Sequence, residues 1–114
     1  MTDILGMPFL HTRLASGRWG NLSLAEQLGN IGSEVSRASK WQGKDEKLFL
    51  GAAWRALELF DITLQDERWK GRRKELGRAR EVFCDTVFGK GEYKSSLKEL
   101  VRYFDQFAFM ARKI

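Results

Sequence analysis

Seven of the thirteen residues from Arg68 to Arg80 are basic and one, Glu75, is acidic. Arg68, Lys70, Arg72, Arg73, Lys74, Arg78 and Arg80 together gather enough positive charge to attract phosphates, with the steep salt dependence that such contacts carry. Trp69 adds a ring on which a base can stack or over which a neighbouring arginine can sit. On a helix these charges do not make one stripe: Lys70, Arg73 and Lys74 share a side, Arg72 and Arg80 lie on another, and Arg78 falls between. Asp66, Glu67, Glu75 and Glu81 are close enough in sequence to neutralise part of the set. The plainer reading is a solvated or intersubunit salt-bridged face, and the sharper one is contact with nucleic acid or another acidic partner.

The second group with chemical potential is acidic. Glu58 and Asp61 stand three residues apart, and Glu81 and Asp85 four apart, so each pair shares one helix face. If the faces met, four carboxylates would converge on a Mg²⁺ or Mn²⁺ ion. Ion pairs with Arg55, Arg78 or Arg80 are the simpler fate of such groups beside a core. Helical bundles that bind magnesium to hydrolyse nucleotide pyrophosphates use paired acidic motifs on facing helices, and this chain carries pieces of that pattern only. The small helical HEPN ribonucleases carry an arginine followed shortly by a histidine, and no histidine follows Arg13.

His11 is the only histidine and Cys84 the only cysteine. The pair cannot build a zinc site, and the Glu-x-x-His motif of di-iron bundles is absent. Cys84, between Phe83 and Asp85, reads as a small buried apolar residue, far in sequence from a base that could activate it. A lone cysteine also excludes an intramolecular disulfide and fits a reducing, cytoplasmic setting. The Gly89–Ser95 stretch GKGEYKS has neither the upstream glycine nor the trailing Ser or Thr of a phosphate-binding P-loop. Four tryptophans and eight phenylalanines can line a pocket, but large rings more often fill a core or a subunit interface.

The elements that position these residues are helical. One proline, many Leu, Ala, Glu, Lys and Arg, and few β-branched residues make helix the cheap conformation. The run from Asp45 to Trp69 predicts a long central helix with apolar residues on three adjacent stripes: Phe49, Ala53, Ala56, Phe60; Leu50, Trp54, Leu57, Leu64; and Leu48, Ala52, Leu59, Ile62. Three stripes need partners on at least two sides.

Ser23 with Glu26 forms a capping box that starts a first helix ending near Trp41, with Leu24, Leu28, Ile31, Val35 and Ala38 as its seam. Gly29 and Gly32 inside it suggest a close helix crossing. Gly43 suits a left-handed cap, and Asp45 caps the central helix. A third helix spans Trp69 to Phe88. A fourth, from Ser96 to about Lys113, has Leu97, Leu100, Val101, Phe104 and Phe107 facing inward. Residues 1–22, broken by Gly6, Pro8, Gly17 and Gly20, predict an irregular but apolar arm that packs on the bundle or on a neighbouring copy.

The expectation is therefore an all-α protein: an antiparallel up-down-up-down four-helix bundle over residues 23–114, preceded by that arm. No stretch has the length of a signal or membrane-spanning segment. The net charge of +5 favours acidic partners. The leading functional expectation is a non-enzymatic interaction or accessory module that forms a homo-oligomer and touches nucleic acid or an acidic protein through the basic segment. The second is a small metal-dependent hydrolase or nucleotide-binding bundle using Glu58, Asp61, Glu81 and Asp85.

Overall fold

The computed structural model describes residues 19–89 and 96–112, the last five without their side chains. Most of the expected arm, residues 1–18, lies outside the described residues, as does the loop over residues 90–95. Four α-helices and no strands occur among the described residues: α1 (Leu24–Trp41), α2 (Glu46–Leu64), α3 (Arg73–Phe88) and α4 (Leu97–Arg112). None of them is long and apolar enough to cross a membrane.

The helix starts follow the capping chemistry. Ser23 Oγ accepts from the Glu26 amide at 3.1 Å while the Glu26 carboxylate accepts from the Ser23 amide at 3.0 Å, satisfying two donors that the first turn leaves open. Asp45 accepts from the Leu48 amide at 3.0 Å at the start of α2. Ser96 does the same for Glu99 at 3.2 Å at the start of α4. Between α1 and α2 the chain turns through Gly43, whose φ of +77° lies in the left-handed region that a side chain disfavours.

All three apolar stripes of α2 contribute to the core: Phe49, Ala53, Ala56 and Phe60 from the first, Leu57 from the second, Ala52, Leu59 and Ile62 from the third. Phe60 is the junction, its ring 5.9 Å from Phe83 of α3 and 5.8 Å from Phe104 of α4. From α1, Leu28, Ile31, Val35 and Ala38 complete the core, as their spacing predicts. α1 packs closely along both α2 and α4, α2 meets α3 more sparsely, and α3 and α4 scarcely touch. The α1–α4 crossing is tight at Gly32, where an added Cβ would stand 2.5 Å from Cβ of Phe104.

One boundary differs from expectation. The central helix stops at Leu64 instead of running to Trp69, and α3 starts at Arg73 instead of Trp69. Between them Asp66 leaves helical geometry (φ −72°, ψ 123°) and its carboxylate caps a 3₁₀ segment, Glu67–Arg72. That break carries the Trp69 ring into the core, where it is 1 % exposed, a position a continuous helix would not supply. A second 3₁₀ turn, Trp19–Asn21, leads into α1 with Trp19 likewise buried.

Candidate functional site

The basic segment occupies the 3₁₀ segment and the first half of α3, and the structure separates its members. Arg68 is a structural clamp: its guanidinium reaches Asp66 at 2.7 Å and the carbonyls of Gly20 and Leu22 at 3.2 and 2.7 Å. The Arg68 hydrogen bonds hold the Asp66 carboxyl far below the usual carboxylate range, with Gln27 adding to the effect against the opposing influence of burial. Trp69 donates its indole N–H to Gln27 Oε1 at 3.0 Å and presents no open face for a base. Arg72 lies over the Trp69 ring at 5.3 Å and pairs with Glu75 at 3.2 Å. Arg73 donates to the Leu64 carbonyl at 3.0 Å and stands 3.8 Å from Glu67. Arg80 bridges to Asp61 of α2 at 2.8 Å. Lys70, Lys74 and Arg78 are exposed.

Asp66, Glu67, Glu75 and Asp61 thus pair with Arg68, Arg73, Arg72 and Arg80, and Arg78 has an interaction of its own. The hidden organiser of this region is Gln27, a fully buried amide whose Nε2 donates to the Trp19 carbonyl and to Asp66, both at 3.0 Å. Trp19 in turn donates its indole N–H to Thr63 Oγ1 at 3.0 Å. Sequence pattern does not expose this network, because a glutamine on a seam looks like a surface residue. Its one local signal is Asp66, an N-cap residue type within an otherwise unbroken helical run.

The acidic residues do not assemble as a metal set. Asp61 is held by Arg80, Glu58 is buried in α2, and among the described residues no group of three or more His, Cys, Asp or Glu is arranged to hold an ion. Glu58, Glu81 and Asp85 each have other interactions. Of the two readings of these acids, Asp61 takes the ion pair, with Arg80. Cys84 is half-buried with Sγ 3.9 Å from Arg80 Nη1. Burial pushes its thiol pKa up despite that arginine, so the nucleophilic thiolate is disfavoured. His11 lies outside the described residues.

What the fold does create is a groove between α3 and α4, about 360 Å³, lined by Ala79, Val82, Leu100 and Tyr103 with Glu75, Arg78 and Glu99 at its rim. α3 is the least buried helix along its seam, with only Leu76 and Phe83 fully enclosed and Ala79, Val82 and Val87 half-buried. The Tyr103 hydroxyl spans the groove to Glu75 Oε1 at 3.1 Å. Burial, and then that carboxylate, push its phenol pKa up to about 12.

No family model, curated protein or solved structure matches this chain. The groove offers an apolar bed between charges of both signs.

Proposed function

We propose that the protein is a non-enzymatic, self-associating helical-bundle module, with the α3–α4 groove as the contact surface between copies. The observation that carries this reading is the half-open seam of α3: Ala79 and Val82 face Leu100 and Tyr103 across a groove that α3 and α4 do not close themselves. The rim favours a second copy over an unrelated chain. It holds Arg78 beside Glu75 and Glu99, so a two-fold arrangement can set each copy's cation against the other's carboxylates.

Within each copy the reading takes the helices as an antiparallel up-down-up-down bundle. Supporting it, Gln27 bonds Asp66 while the later Glu34 bonds the earlier Arg55, which suits opposed α1 and α2. Trp54 meets Phe88 while the later Asp61 meets the earlier Arg80, which suits opposed α2 and α3. The basic segment enters with a reduced set. Lys70 and Lys74 are its exposed lysines, placed to meet nucleic acid or an acidic protein, while Arg78 belongs to the groove rim.

Solution mass by light scattering tests the proposal. Wild type is expected above the 13.2 kDa of one chain, and Val82→Glu, which places a charge in the apolar bed, is expected to return it to that mass with unchanged helicity. A wild-type monomer at all accessible concentrations refutes self-association, and a Val82→Glu oligomer refutes the groove as its interface.

A further inference from the structure

We propose that a notch between α1 and α4, walled by Ser36, Ser39, Lys40, Lys98 and Arg102, binds phosphate-ester groups. The notch is shallow, about 390 Å³, with Val101 as its apolar floor. It goes beyond the self-association reading, since it belongs to neither the α3–α4 groove nor the basic segment.

Charge accounting sets this place apart. Among the described residues six other arginines are matched: Arg37 and Arg55 with Glu34, Arg68 with Asp66, Arg72 with Glu75, Arg73 with Glu67 and Arg80 with Asp61. Three cations line the notch and no carboxylate does. Among the described residues none of the three forms an ion pair. The acids nearest in sequence are turned to other tasks or stand apart. Glu34 is buried against Arg37 and Arg55, Glu99 lines the α3–α4 groove, and Asp105, three residues beyond Arg102, makes no ion pair with it. Like charges from two helices converge here without a protein counter-ion, which is the condition an external anion relieves.

The donor set specifies the anion. Arg102 offers a planar fork suited to two oxygens of one phosphate, and the two ammonium groups add point charges. The hydroxyls of Ser36 and Ser39 can donate from the opposite wall. Lys98 sits in the first turn of α4, where the helix dipole adds positive potential. The Lys40 ammonium lies 5.1 Å from the centre of the Trp41 ring, which steadies it at the mouth. A tetrahedral dianion uses more of these donors than a carboxylate does.

The ester can come from a nucleic-acid strand or from a small phosphomonoester, and two probes separate the sources. One is a labelled single-stranded DNA of about 20 nucleotides followed by anisotropy at about 50 and about 200 mM salt, where each lost phosphate contact removes about 2.6-fold of the salt effect. The other is phenyl phosphate followed by calorimetry. The double variant Lys98→Gln/Arg102→Gln removes two charges from the notch. The double variant Lys70→Gln/Lys74→Gln removes two from the basic segment, and all four side chains are exposed.

For DNA, the notch variant is expected to lose about 7-fold of the wild-type affinity drop across that salt range, and the control variant to retain it. Binding of phenyl phosphate alone, abolished by the same variant, supports the small-ester form. Ser36→Asp, which supplies the missing carboxylate, is expected to weaken whichever probe binds. Absence of binding to both probes, an unaffected notch variant, or equal losses in the two variants overturns the proposal.

Discussion

Replacing Gln27 by leucine removes the centre of the buried network and leaves a branched apolar side chain, one heavy atom smaller, in its place. Three groups lose a partner: the Trp19 carbonyl, the Trp69 indole N–H and one oxygen of Asp66. Stripping a buried neutral donor or acceptor costs about 1–3 kcal/mol, and a charged one about 1.5–3 kcal/mol. Two carbons in place of the amide return about 1.6 kcal/mol. The net expectation is a loss of about 2–7 kcal/mol, set against a total stability of about 6–17 kcal/mol for a chain of this length.

At about 4 °C per kcal/mol, Tm should fall by roughly 8–28 °C. Thermal melting followed by circular dichroism, with urea titration to give the free energy, measures it directly. Gln27→Glu makes the contrast: it keeps an acceptor for Trp69 but sets a second carboxylate against Asp66, so it should be at least as damaging at neutral pH. A Gln27→Leu protein melting within about 2 °C of wild type would show that the network adds no net stability, and would remove with it the account of why the helix breaks at Asp66.

Three further outcomes rest on the same contacts. Asp66 has a carboxyl pKa below its unfolded value, so its contribution is complete above about pH 4 and is lost as pH falls further; Asp66→Asn should flatten the stability profile in that acid range in urea titrations. Tyr103 has a phenol raised to about 12, so its contribution is full below about pH 10 and is lost as pH climbs toward that value. Ultraviolet titration of phenolate should show this late ionisation, moved to lower pH in Glu75→Gln. Gly32→Ala gains about 1 kcal/mol of helix propensity but forces a methyl against Cβ of Phe104, an overpacking cost of about 1–3 kcal/mol, so melting should show a net loss. Phe104→Ala keeps the obstructing Cβ and should leave the Gly32→Ala loss in place, whereas Phe104→Gly, which removes it, should reverse the sign of the Gly32→Ala increment.

Helix content and core membership are legible in the sequence because periodic apolar residues and capping boxes act locally. Ser23, Asp45 and the Leu28-to-Ala38 seam sit where spacing puts them. Gly32 also announces its crossing, since a glycine inside a helix is costly unless another helix needs the room. The site is less legible. Charge density marks the segment from Arg68 to Arg80, but pairing with Asp61 and Asp66 depends on tertiary placement. Trp69 is enclosed because Asp66 ends a helix that periodicity alone would continue. The notch at Lys40, Lys98 and Arg102 joins residues too far apart in sequence to form a visible run.

The tight seam between α1 and α4 has a consequence for how the chain is made. Gly32 meets Phe104, 72 residues later, and at translation rates of about 5–20 residues per second that partner is synthesised about 4–14 s after it. Through that interval the emerging protein holds Ile31 and Val35 without the last helix beside them. The nascent chain therefore passes through a sticky stage set by topology, and slow codons before the α4 coding region would prolong it.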